Sequence, residues 1–139
     1  MEAPTPRGIR NNNPLNIRKG NNWHGERNPQ TDKAFEEFQT LEFGLRAGFI
    51  ILRNYMSKRP PINTISAIIS RWAPTSENNT TAYIREVSRR ANIPFDRRLS
   101  FSNKNEICRI VQAMCWVECG CEVSFGRIEN AYELAHHNL

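Results

Sequence analysis

The sequence has no apolar run near the ~20 residues that a membrane-spanning helix needs. Its densest stretch, Phe49 to Leu52, lies inside a longer amphipathic pattern. The opening MEAPTPRGIR has no apolar core of a secretory signal, so delivery outside the cytoplasm is expected to need another route. Internal repeats and low-complexity linkers are absent, as are a Gly-rich phosphate loop and a His-Glu-x-x-His motif. Histidine is scarce, with His24 alone and His136-His137 near the end, so metal-hydrolase and serine-triad chemistry have little support. Three quarters of the chain lack cysteine. The four present, Cys108, Cys115, Cys119 and Cys121, are clustered, which makes a poor disulfide framework. The first three follow helical spacing and read as small residues on a buried face. A zinc site from Cys119, Cys121 and His136 or His137 would match no standard spacing, so no metal or other cofactor is expected.

What is present describes a soluble domain. The 139 residues suffice for one domain spanning 1–139, with a real core. Apolar residues are 39% and charged residues 24%, which excludes wholesale disorder. The net charge of +5 favours an anionic partner: nucleic acid, a membrane surface or a bacterial wall. Arg85, Arg89, Arg90, Arg97 and Arg98 form no single stripe, and no helix-turn-helix spacing is evident, which weighs against nucleic acid.

The first forty residues are rich in Asn, Gly, Pro and charge. Leu15 to Arg18 and Ala34 to Phe38 read as short strands around turns. From Thr40 the pattern is helical. Thr40 caps a helix to about Ser57, with Phe43, Ala47, Ile50, Ile51 and Asn54 to Tyr55 on its period; Gly44 and Gly48 suggest a close contact with another helix. Thr64 caps a helix to Trp72. Asn78 or Asn79 caps the next, to about Ala91. Asn103 and Glu106 form a capping-box pattern before the stripe Ile107, Ile110, Val111, Met114 and Val117, and Gly120 is the stop. Ser124 caps a last helix through Ile128, Ala131 and Ala135.

One carboxylate stands out. Glu118 follows Met114 by four residues and Val111 by seven, so it continues the apolar stripe. The negative end of a helix dipole and partial burial both disfavour a second anion there. A carboxylic acid kept protonated near neutral pH is what a general acid in glycoside cleavage requires. The competing reading is a side chain that reaches solvent at the stripe's edge. Glu36, Glu37, Glu42, Glu86, Glu129 and Glu133 fit solvated faces. Glu26, Asp32 and Glu77 lie in polar loops and could sit across a cleft.

Glu118-Cys119-Gly120, closing an apolar helix, resembles the Glu-Ser-Gly or Glu-Thr-Gly of lysozyme-like lytic transglycosylases and glucosaminidases. Other pieces are similar too, in rotated order. Asn12-Asn13-Pro14-Leu15-Asn16-Ile17-Arg18 looks like that superfamily's Asn-Asn segment, and Trp23-His24-Gly25 like its Trp-x-Gly. Phe35 to Phe38 and Gly44-Leu45-Arg46-Ala47 resemble the strand and helix that follow. Trp72-Ala73-Pro74, Glu77-Asn78-Asn79-Thr80 and Tyr83-Ile84 resemble the cleft-lining helix with its Tyr. Nearly the whole chain also resembles small bacteriophage proteins with the run Arg-Gly-Ile-Arg-Asn-Asn-Asn-Pro-x-Asn-Ile-Arg.

The resemblance implies a mainly α (α+β) lysozyme-like domain with a small N-terminal irregular or β lobe, circularly permuted so that the catalytic helix lies near the C-terminus. It implies cleavage of the peptidoglycan glycan strand, as a lytic transglycosylase or muramidase. Glu118 would be the acid, and Tyr83 would stabilise charge or position sugar. Asn13, Asn16, Trp23, Gln30, Trp72, Glu77 and Asn79 would meet substrate. A hydrolase would need a base, from Glu26, Asp32 or Glu77. The expected partner is peptidoglycan, met by a monomer from a phage virion or after delivery to the periplasm. The alternative is a non-catalytic virion or wall-binding protein with the same fold.

Overall fold

The computed structural model describes residues 5–75 and 79–137. Six helices occur in order: α1 (Arg7–Arg10), α2 (Leu41–Met56), α3 (Ile65–Trp72), α4 (Thr80–Ala91), α5 (Lys104–Cys119) and α6 (Phe125–His137). The fold is mainly helical. Among the described residues the two expected strands are absent. The N-terminal lobe holds only isolated antiparallel bridges, Arg18 to Phe35 and Glu26 to Phe38. Scattered backbone bonds, such as Glu36 to Ile17 and Phe38 to Asn11, tie it together with side-chain bonds to the backbone, without a continuous ladder. α1 precedes it, in a segment whose sequence carries no helical period.

Polar side chains set the helix starts. Thr40 accepts from the Phe43 amide at 3.2 Å and Thr64 from Ala67 at 3.1 Å. Asn79, not Asn78, caps α4 through Ala82, whereas Asn78 lies outside the described residues. Asn103 accepts from the Glu106 amide at 3.3 Å and donates to its carboxylate at 3.0 Å. Each such cap is worth about 1 kcal/mol. Gly120 ends α5 at φ 67, a left-handed turn that a side chain would strain.

One hydrophobic cluster joins the helices. Along α5, Ile107, Ile110, Val111 and Met114 are fully buried, and Cys108 and Cys115 share that face. α2 packs on α6, α6 on α5, α5 on α4 and α4 on α3. The buried side of α2 is centred on Leu45, Phe49 and Leu52 rather than on Phe43, Ile50 and Ile51, which are half-buried. Gly44 and Gly48 do make a close contact, but with the N-terminal lobe. A Cβ on Gly44 would lie 1.9 Å from the Asn12 carbonyl oxygen, and one on Gly48 2.2 Å from Leu15.

The lobe's polar residues hold it together. Asp32 receives two bonds of 2.6 Å from Arg7, one of 2.9 Å from Asn11 and the amides of Ala34 and Phe35. Those donors, led by Arg7, hold its carboxyl far below the ordinary value despite burial. A depressed carboxyl stabilises the fold above its unfolded pKa of about 3.9 and loses that contribution as pH falls. Asp32→Asn is therefore expected to lower the melting temperature at pH 7, with the gap to wild type narrowing as pH falls below about 4 and part of it persisting at pH 2. A melting series across that range checks this.

Candidate active site

Glu118 sits half-buried in the last turn of α5, at the mouth of a cleft of about 450 Å³. The cleft is walled by Asn16, Ile17, Arg18, Asn21 and Phe35 from the lobe, Ile51 and Tyr55 from α2, and Trp72-Ala73 at the end of α3. Among these described lining residues, Glu118 is the one carboxylate.

Three donors from distant parts of the chain meet on it. Tyr83 donates its hydroxyl to Oε2 at 2.9 Å, and the Trp72 indole N–H reaches the same oxygen at 3.3 Å. The Asn16 amide donates to Oε1 at 3.2 Å and to the Glu118 backbone carbonyl at 3.1 Å. That carbonyl is among the four that a helix C-terminus leaves without intrahelical partners. Asn16 adopts φ 53, a left-handed conformation that Asn tolerates better than most residues. Burial raises the Glu118 pKa, and the three donors partly offset it because they favour the carboxylate. Tyr83 is itself held neutral: burial, and then the neighbouring Glu118 charge, push its hydroxyl well above the ordinary value.

Of the residues singled out by sequence, Asn16, Trp72, Tyr83 and Glu118 are brought together. Trp72 spends its indole N–H on Glu118 while lining the cleft. Asn79 caps α4 and borders a neighbouring hollow with Tyr83. Glu77 lies outside the described residues.

Three expectations need correction. Asn13 is fully buried, donates to the Ile17 and Glu36 carbonyls and accepts from the Ile17 amide, so its side chain builds the lobe and is not free for a ligand. Gln30 is likewise consumed, bonding the Arg27 and Glu37 carbonyls and the Glu37 amide. Trp23 packs against the core rather than lining the cleft.

Among the candidate bases, Asp32 is locked to Arg7, and Glu26 lies beside Glu36; neither of these two lines the cleft. Glu36 and Glu37 were expected on solvated faces, yet each is 3% exposed. Glu37 accepts from Thr31 and from the Asp32 amide. Burial, then the charge of Glu26, pushes Glu36 up to about 7, with Lys19 opposing. A raised carboxyl pKa favours the fold below its unfolded value of about 4.3, and the contribution is lost as pH rises through 7. Glu36→Gln is expected to flatten the fall in melting temperature between pH 5 and pH 8. An undiminished slope would contradict that assignment.

Sequence reasoning missed Arg18, Asn21, Phe35, Ile51 and Tyr55 as cleft residues. The helical offset of four between Ile51 and Tyr55 was the available signal. Arg18 and Arg7 both lie over the Phe35 ring, at 5.0 and 4.6 Å.

No protein-family model matches the chain. It is 39% identical over 132 residues to Protein P5 of Pseudoalteromonas phage PM2, an alignment covering 91% of this chain and 80% of that protein. The chain belongs to the family of phage protein P5. This P5-family member is therefore a bacteriophage-type protein, and among its described residues no helix is long and apolar enough to cross a membrane. Nor do those residues of the P5-family chain group three His, Cys, Asp or Glu side chains as a metal site would.

Proposed function

We propose that the chain cleaves the glycan strand of peptidoglycan, with Glu118 as the general acid. The observation that carries this reading is a half-buried carboxyl with a raised pKa, fixed by Asn16, Trp72 and Tyr83 at a cleft. The cleft's aromatic rings and amide side chains suit N-acetylated sugars, which offer apolar ring faces and amide groups. The bond joining Asn16 to Glu118 across 102 positions supports the circularly permuted lysozyme-like reading, since it places the Asn-bearing segment beside the acid. Phage membership supports a wall substrate, reached from the virion or after delivery to the periplasm.

Protonated Glu118 gives its proton to the glycosidic oxygen between N-acetylmuramic acid and N-acetylglucosamine. The C1–O bond breaks. The muramic sugar's 6-hydroxyl then closes on C1 and passes its proton to the Glu118 carboxylate, restoring the acid and leaving an anhydro end. This route needs one protein carboxyl, the number found among the described lining residues. Purified sacculi digested by the wild type test it. Borohydride reduces hydrolytic ends but not anhydro ends, so unreduced termini are expected; wholly reducible termini would mean hydrolysis, and no release would overturn the reading.

The acid must be protonated to act, so the alkaline limb of the rate follows the Glu118 pKa. Tyr83→Phe removes a donor that favours the carboxylate. Its pH–rate profile is expected to shift toward higher pH, with a lower maximum. A shift toward lower pH would contradict the assigned direction of that bond.

A further inference from the structure

We propose that a second, basic pocket on α5 binds the acidic peptide branch of the same glycan; this rests on the glycan reading of Glu118. The pocket holds about 290 Å³ and is lined by Arg89 and Arg90 of α4, by Arg109, Gln112 and Trp116 of α5, and by Glu122. Its guanidinium groups are held in place. Arg90 lies over the Trp116 ring at 4.1 Å and donates to Glu86 at 2.7 Å. Arg89 shares Glu86 at 2.5 Å. Arg109 donates to Asn105 at 2.9 Å and also to the Ala91 carbonyl. Three cations face two carboxylates, Glu86 and Glu122, and one positive charge is left over.

Trp116 is 36% exposed, unusual for a large ring on a helix whose other apolar residues are mostly buried. It also borders the hollow lined by Asn79 and Tyr83. Tyr83 lines that hollow and places its hydroxyl on Glu118, which lines the cleft.

The geometry selects the branch rather than the strand. Trp116 and Glu118 are two residues apart on α5, about 3 Å along the axis but roughly 200° around it. A rigid glycan seated at Glu118 does not follow that turn. A flexible peptide does, since five extended residues span about 17 Å, close to half the circumference of a helix with its side chains. Wall peptides end in carboxylates, which guanidinium groups hold by charge-assisted bonds, and they carry a diamino acid whose ammonium suits Glu122.

The test uses the full chain carrying Glu118→Gln, so that substrate is bound without turnover. Dissociation constants are measured for soluble peptide-bearing glycan fragments and for the same fragments stripped of peptide by an amidase. The peptide-bearing fragments are expected to bind about tenfold more tightly. Adding Arg89→Gln and Arg90→Gln should bring the ratio to about one, with thermal melting verifying the fold. Trp116→Ala is a second variant expected to reduce the ratio. Equal affinities in the Glu118→Gln parent, or a ratio unmoved by these variants, overturn the peptide pocket alone. Binding of neither fragment overturns the glycan reading with it.

Discussion

Replacing Glu118 by Gln is expected to lower the rate of glycan cleavage by about 10³-fold while leaving the fold intact. Positioned proton donors contribute about 10²–10⁴ in rate, and an amide has no proton to give at neutral pH. Gln keeps the length of the side chain and one acceptor oxygen, on which the donors Tyr83 and Trp72 can still converge. It also ends the cost of burying a charge, so thermal stability should hold or rise slightly. Rates on solubilised strands, measured beside melting curves, separate the two effects. A loss of rate accompanied by loss of fold would make Glu118 structural.

The largest expected effect on stability comes from a single carbon. In Gly44→Ala the new Cβ would lie 1.9 Å from the Asn12 carbonyl oxygen, a backbone atom that cannot rotate away. Forcing atoms into a packed contact costs about 1–3 kcal/mol, and a backbone neighbour puts this case near the top of that range. For a chain of this size the melting temperature should fall by about 10 °C. Asn12 and Asn16 share one loop, so the displacement also draws the Asn16 amide off Glu118, and activity should fall even below the melting temperature. Gly126→Ala is the control. No atom lies within 4 Å of its added carbon, so it should cost nothing measurable.

The contrast between the two glycines shows which parts of the molecule could be read from sequence. Helices α2 to α5 were legible because each carries a 3.6-residue apolar period and a side-chain cap, as at Thr40, Thr64 and Asn103. Glu118 was legible as an oddity because it continues the buried stripe of α5. The lobe was not legible in the same way. Its order comes from scattered backbone bonds and from polar side chains bonding backbone across long separations, as Asn13 does with Glu36 and Asn12 with Phe38. Periodicity carries no signal for such contacts. Glu36 and Glu37 therefore read as solvated although both are buried, and Asn13 read as available although all its bonds are used. Gly44 and Gly48 marked a close approach correctly, but their partner was a loop, and α2 alone could not reveal it.

The measurement that bears most directly on the central claim is a paired digestion of purified peptidoglycan by wild type and Glu118→Gln, with mass spectrometry of the soluble products. Wild type is expected to release muropeptides one water lighter than hydrolytic products, and the variant to release almost none. Equal release by the two proteins would contradict Glu118 as the acid, and release by neither would contradict an enzyme.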